Sequence, residues 1–316
     1  MKFSGHETFH VREGWLHKGL SLVAREPQAL SSDEAADLMG VGNNMAKSIR
    51  HWLLATGLVA KPEGDSAHYE MTPIGRVVHE YDPFFTSDAT WWALHINIAT
   101  NPAQAGSWNW LFNASGLRRF EKGVAIEQLR RHLRHHTNRK PPSPNTLARD
   151  LAVLLSSYSR MIPHDLSDPE DSKYCPFQQL DLISFFRESG FYRINFSEKE
   201  IPVQMLGYAL VNYALSPDLE EEFISRSVSE IASASGGPCK VFCIRDEALF
   251  HLALEAEETL TSEWLSVSGL AGSRMLRFRA FPPEAWLTDY YQKEIEIEED
   301  FRTSVKTQLL EPYEAR

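Results

Sequence analysis

Residues 31–71 constrain the fold more than any other stretch of this chain. Ser32 stands before Asp33 and Glu34, and Ala35, Ala36, Leu38 and Met39 follow. A serine cap with acids in the first turn, where the helix dipole favours negative charge, predicts a short helix. Gly40-Val41-Gly42 predicts a tight turn joining two crossed helices. Asn43 or Asn44 then opens a second helix, on which Met45, Ile49, Trp52 and Leu53 recur at helical spacing and should face a core. Its other face carries Asn43, Asn44, Lys47 and His51, flanked by Ser48 and Arg50. That face is short, polar and mildly cationic, as a helix lying in a DNA major groove requires. Gly57 suits the helix end, and residues 58–60 and 67–71 read as two short strands around the turn-forming residues 61–66. Thr72-Pro73 starts another helix. Helix, turn, helix and hairpin is the order of a winged helix. Such a unit either contacts DNA or packs only against protein, because a fold does not fix a function.

The chain has 316 residues, enough for two or three units, and a soluble balance of 43% hydrophobic and 24% charged residues. With a formal net charge of −11, nucleic-acid binding must rest on local patches. Cys239 and Cys243 lie four apart and Cys175 is alone, which speaks against a zinc or disulfide framework and suits a reducing cytoplasm. No apolar run approaches the roughly 20 residues of a membrane span, and the N-terminus lacks a signal-peptide core.

The first twenty residues contain His6-Glu7-Thr8-Phe9-His10, a literal H-E-x-x-H. On a helix that spacing sets two imidazoles one turn apart, with the glutamate as base beside zinc. Only five residues precede it, so the long helix a zinc protease needs is missing. Two readings stay open. The segment is structural, with Phe3, Phe9, Trp15 and Leu16 as anchors, or it forms a pocket from His6, Glu7, His10, Arg12 and Glu13. Residues 81–112 are aromatic and helical in pattern; Trp91, Trp92, Trp108 and Trp110 read as core, with stacking on flipped bases as the other use of indoles. Residues 118–149 are basic: Arg118, Arg119, Lys122, Arg130, Arg131, Arg134, Arg139, Lys140 and Arg149 face only Glu121 and Glu127. A helix over 125–135 and a second from Ser143 or Asn145 flank a proline-rich loop, a second helix-turn-helix-like unit. Asn145, Thr146 and Arg149 lie at a helix N-terminus suited to phosphate.

Asp165, Asp168, Glu170 and Asp171 form an acidic loop that could hold Mg²⁺, though without the usual strand-borne spacing. Beyond it we expect a helix over 202–215, an acidic helix from residue 216 continuing through 225–235, a strand over 239–244, a helix over 246–260 and an edge strand over 275–280. Arg274, Arg277 and Arg279 are placed there to meet a backbone, and a last helix after Pro283 gives way to an exposed, partly disordered acidic end. The sequence therefore predicts a mainly α, α+β chain with small β-hairpins and a multi-unit winged-helix or helix-turn-helix architecture. Its expected divisions are residues 1–85, 86–165 and 166–316.

Several segments carry a family resemblance: Phe3-Ser-Gly-His-Glu-Thr-Phe9 with Arg12 and Trp15-Leu16, Trp91-Trp92-Ala-Leu-His95, Trp108-Asn-Trp-Leu-Phe112, Thr146-Leu-Ala-Arg-Asp150, Pro169-Glu-Asp-Ser172 with Cys175-Pro176, and Pro238 before Val241-Phe242. Spread over nearly the whole chain, they resemble the SspB-like family of bacterial Ssp-type DNA phosphorothioation clusters. The resemblance implies phage defence through DNA modification, beside a cysteine desulfurase, a PAPS-reductase-like protein and an ATPase. It also implies nicking of one DNA strand to admit sulfur. His10 lies outside the family pattern, which weakens the protease reading further.

Three functions follow for test. The first is a DNA-binding nickase using Mg²⁺ or another divalent cation, with His6, Glu7, His10 and Glu13 as candidate groups. The second is a non-catalytic adaptor that presents double-stranded DNA to the sulfur-transfer enzymes. The third is a zinc hydrolase. A homodimer is the base expectation for quaternary state.

Overall fold

The computed structural model describes residues 1–64, 68–136, 141–162, 174–214, 221–260, 263–270 and 273–310. The expected acidic loop at 165–171 and the basic pair Arg139 and Lys140 lie outside the described residues.

Helix α1 (Trp15–Arg25) buries Trp15, Leu16, Leu20, Leu22 and Val23. At Gly19 an added Cβ would stand 2.6 Å from Ile49 and 2.7 Å from Leu53, so this glycine sets how closely α1 meets the helix carrying them. After a 3-10 turn at Ala29–Ser31 come α2 (Ala35–Met39) and α3 (Asn43–Ala55). Gly40 closes α2 at φ 62, with Val41 N–H bonded to Ala36 O and Gly40 N–H to Asp37 O, the paired bonds of a Schellman end. Ser32 is not the cap expected of it: its hydroxyl donates to Ala29 O and closes the 3-10 turn, leaving Asp33 and Glu34 ahead of the helix. Strands β1 (Val59–Ala60) and β2 (Glu70–Met71) pair antiparallel, Val59 opposite Met71. Helix α4 (Pro73–Tyr81) starts as predicted, with Thr72 Oγ1 accepting from Gly75 N–H.

Helix α5 (Asp88–Thr100) is apolar all round and buried all round. It packs against α6 (Gly106–Asn113). Then follow β3 (Arg119–Phe120), α7 (Lys122–His136) and α8 (Pro144–Tyr158), the last capped by Ser143 Oγ on Thr146 N–H. Strands β4 (Ser159–Ile162), β5 (Ile183–Phe186) and β6 (Phe191–Ile194) join β3 in a sheet ordered β3-β6-β5-β4, with β4 parallel to β5.

The remainder is α9 (Val203–Ala214), β7 (Phe223–Ser227), α10 (Val228–Ser233), α11 (Pro238–Val241), α12 (Asp246–Leu260), β8 (Leu265–Leu270), β9 (Ser273–Arg279) and α13 (Pro283–Leu310). Residues 223–227 are a strand rather than part of an acidic helix, and Pro238–Val241 is a helical turn rather than a strand. Strand β9 is central, not an edge: the antiparallel order is β7-β9-β8. The acidic run from Lys293 stays helical within α13.

The fold is thus a mainly helical α+β arrangement with small sheets. One hydrophobic core runs from Val11 to Tyr291. Polar pins cross it. Asn97 on α5 donates to Thr56 O at 2.8 Å and accepts from Tyr208 OH at 2.9 Å, tying α3's end to α9. His95, fully buried, donates from Nε2 to Val241 O (2.7 Å) and accepts at Nδ1 from Tyr158 OH (2.9 Å). Burial holds its pKa down to about 4, so it is neutral at pH 7.

Candidate nucleic-acid interface

The exposed side of α3 borders a hollow of about 730 Å³. Lys47 and Arg50 come from α3, Lys61 and Tyr69 from the two ends of the connection between β1 and β2, Lys2 and Glu7 from the N-terminal segment, and Gln104 also lines it. Four cations against one carboxylate make this hollow positive in a chain whose total charge is negative. The Lys2 ammonium is held below its usual pKa, first by burial and then by repulsion from Arg50 and Lys61, so these charges act on one another. Lys2 Nζ donates to Gln104 Oε1 at 2.9 Å, and Lys61 Nζ sits 5.0 Å from the centre of the Tyr69 ring.

Asn43, Asn44 and Lys47 are exposed and Arg50 half-buried, as the periodicity predicts. Ser48 is not on that surface, and His51 borders the hollow with little of its ring open. Ser48 is fully buried, and His51 is 5% exposed because Gly5 and His6 of the N-terminal segment pack against it. Burial, and then His6, push the His51 pKa down to about 3, so it brings no positive charge to the hollow at neutral pH.

The N-terminal wall is held by Asp150 of α8, 1% exposed. Asp150 Oδ1 accepts from Ser4 N–H (2.7 Å) and from His6 Nε2 (2.8 Å), and Oδ2 accepts from Ser107 Oγ (2.5 Å). Thr8 N–H donates to His6 Nδ1 at 3.2 Å, which fixes the proton on Nε2. The His6 ring stacks on Trp52 (centroids 6.1 Å apart, planes 21°) and meets Trp108 edge-on. Gly5 lies against His51: a Cβ there would stand 2.3 Å from its Nδ1.

The four candidate catalytic residues are not brought together. His6 is buried with both nitrogens engaged. Glu7 lines the basic hollow, whereas Glu13 lines a different one with Arg12 and Phe84. His10 Nδ1 sits 3.3 Å from Ser156 Oγ on α8. Residues 6–10 are not helical, and Glu7 and Thr8 have φ of 48° and 66°, so the H-E-x-x-H spacing does not set two imidazoles a turn apart. Among the described residues no group of three histidines, cysteines or carboxylates could hold a metal ion.

On α7, Arg130, Arg131 and Arg134 fall within about 100° of arc opposite the buried Ala125, Leu129 and Leu133. Arg130 is ion-paired to Glu127 at 3.0 Å; Arg131 and Arg134 are exposed. Lys122, at the start of α7, is half-buried. Arg118 and Arg119 are exposed but lie over Phe196 (5.4 Å) and Phe191 (4.6 Å). Asn145 and Arg149 share the outer face of α8, and Thr146 is half-buried at its cap. In the β7-β9-β8 sheet, Arg274 lies over Phe250 and Arg277 over Phe223, while Arg279 pairs with Glu222. Lys2, Lys61, Tyr69, Gln104 and Asp150 were not marked by sequence reasoning. Asp150 did carry a signal, as the last residue of one of the family-like segments.

Residues 3–291 match the family DUF4007, described as a protein of unknown function. The chain belongs to this family. No curated protein matches it. Two solved structures share the fold of this DUF4007 chain. A magnesium ion-bound SspB crystal structure is 24% identical, with a TM-score of 0.79 over 95% of this chain and 88% of the other. An SspB crystal structure is 24% identical, with a TM-score of 0.78 over the same shares. No described helix is long and apolar enough to cross a membrane.

Proposed function

We propose that this DUF4007 chain binds double-stranded DNA within a phosphorothioation system and presents it to the sulfur-transfer enzymes. The observation that carries this reading is the cation-lined hollow at α3, where Lys2, Lys47, Arg50 and Lys61 border the exposed Asn43 and Asn44. A helix face with amides for base edges and cations for phosphates is what major-groove binding uses, and the small hairpin beside it would serve as a wing. The exposed Arg131, Arg134 and Arg149 offer a second set of phosphate contacts. The likeness in fold to SspB supports placement in such a system, with the cysteine desulfurase, PAPS-reductase-like protein and ATPase as partners.

Binding to duplex should weaken steeply with salt, with a log-log slope of about −0.9 per phosphate neutralised. A slope near zero, or no binding at 50 mM salt, would end the reading. Nicking is the second reading, favoured by the magnesium ion in the SspB structure. The described residues do not fit that ion, since Glu7 and Glu13 lie in separate hollows and no group of three possible ligands stands together among them. Purified protein incubated with supercoiled plasmid, with Mg²⁺ and with chelator, separates the two. Open circles formed only with Mg²⁺, and retained in Glu7→Ala, would establish a nickase whose acids lie elsewhere. Intact plasmid together with stable partner complexes would establish the adaptor.

A further inference from the structure

A second hollow, of about 270 Å³, opens where the N-terminal segment meets the start of α5, lined by Arg12, Glu13, Phe84, Trp91, Tyr174 and Gln179. It is smaller than the roughly 300–1,000 Å³ clefts that take drug-sized ligands, and it has room for a single ring system. Phe84 is 68% exposed, yet it is not loose. Its ring stacks on His17 at 4.8 Å and 26°, and His17 Nδ1 bonds to Pro83 O at 2.7 Å. The next residue, Phe85, is buried with φ at 60°, and its carbonyl accepts from Trp91 Nε1 at 2.9 Å. A bulky residue rarely adopts that backbone. The strained turn sends Phe85 inward and leaves Phe84 facing solvent on a fixed support.

Arg12 packs its guanidinium 5.3 Å from the Trp15 ring and 5.6 Å from Phe9, and it makes no ion pair among the described residues. Glu13 and Gln179 are exposed and add an acceptor and an amide. A flat ring, a cation and hydrogen-bonding groups at one small opening complement a planar heterocycle with polar edges and a phosphate. An aliphatic side chain of a partner would instead desolvate Arg12, Glu13 and Gln179 without bonding them.

We propose that this hollow takes one unstacked nucleobase on the face of Phe84, with Arg12 meeting its phosphate. Glu7 borders the basic hollow and Arg12 this one. Five residues of chain span at most about 18 Å, so a strand held in the first can reach the second. That link to DNA rests on the duplex-binding reading; the base site itself does not.

The test uses the full chain and three probes: a duplex with a single unpaired adenine, the same duplex fully paired, and adenosine monophosphate alone. Stacking one base should favour the bulged duplex by about 5- to 150-fold. Phe84→Ala should erase that preference while leaving paired-duplex affinity and thermal stability unchanged, because the side chain is mostly in solvent; Phe84→Trp should restore it. Phe84-dependent binding of the mononucleotide without a bulge preference would also support the base site, filled from free nucleotide. Binding of all three probes unchanged in a folded Phe84→Ala protein, or no Phe84-dependent binding of any, would overturn it. A chain that binds neither duplex but keeps Phe84-dependent mononucleotide binding would sink the groove reading and leave this one standing.

Discussion

Replacing Asp150 with alanine should release the N-terminal wall of the basic hollow. The side chain is 1% exposed and accepts three hydrogen bonds, from Ser4 N–H, His6 Nε2–H and Ser107 Oγ–H. His6 and Ser107 are themselves buried, so two donors lose their acceptor where water cannot replace it. Each such donor costs about 1–3 kcal/mol. About 2–6 kcal/mol is therefore the expected loss for the two, unless the segment undocks and rehydrates at lower cost. Hydrogen exchange at the amides of Ser4 and Thr8, both bonded in this network, reads that outcome directly. Their protection should fall by roughly thirtyfold to ten-thousandfold or more, at 1.4 kcal/mol per factor of ten. With Lys2 and Glu7 no longer held at the hollow, duplex affinity should fall as well. Protection within fivefold of the parent at both amides would show that the segment is held by its ring packing on Trp52 and Trp108, and the argument would be refuted.

Lys47→Ala and Arg50→Ala should each lower the salt slope of duplex binding by about one and weaken all sequences alike, as fluorescence anisotropy across a salt series would show. Asn44→Ala should alter base preference by about 1–3 kcal/mol at one position, which binding to a randomised duplex pool would register. His95 and His51 have folded-state pKa values near 4 and 3, below the usual 6.5. The unfolded chain therefore binds their protons first. Stability is complete above pH 6.5 and declines as pH falls towards 4 and then 3, by on the order of 3 kcal/mol per histidine. Urea unfolding at pH 7 and 4.5 would measure it, and a flat profile would contradict the burial argument. Gly207→Ala puts a Cβ 2.0 Å from the Trp286 ring and should cost about 1–3 kcal/mol in urea midpoint terms, or more if α9 and α13 cannot part.

Much of the first hundred residues was legible because local rules and tertiary packing agree there. Gly40 sits where a left-handed residue is required, Thr72-Pro73 caps α4, and the apolar spacing of Ile49, Trp52 and Leu53 marks the buried side of α3. His51 is more buried than its helix face predicts because Gly5 and His6, more than forty residues earlier, pack on it, and no helical period carries that information. The β3-β6-β5-β4 sheet was hidden for a similar reason. Its strands are short, β3 is two residues long, and the parallel β4–β5 pairing joins segments separated by more than twenty residues. Arg274, Arg277 and Arg279 alternate as a strand should, but the sequence does not show that phenylalanines and Glu222 stand next to them. The candidate catalytic set failed to assemble because adjacency in sequence was mistaken for adjacency in space.

Helix α5 is covered on every side, by α6, α9, α11 and α13 among others. No shortened chain can therefore carry the α3 hollow and keep that helix dressed. A fragment ending before residue 203 would strip α9 and α13 from it, baring a greasy stripe that invites clumping. The cation-lined face of α3 is not a portable cassette, and any transplant of it would have to bring the far end of the polypeptide along.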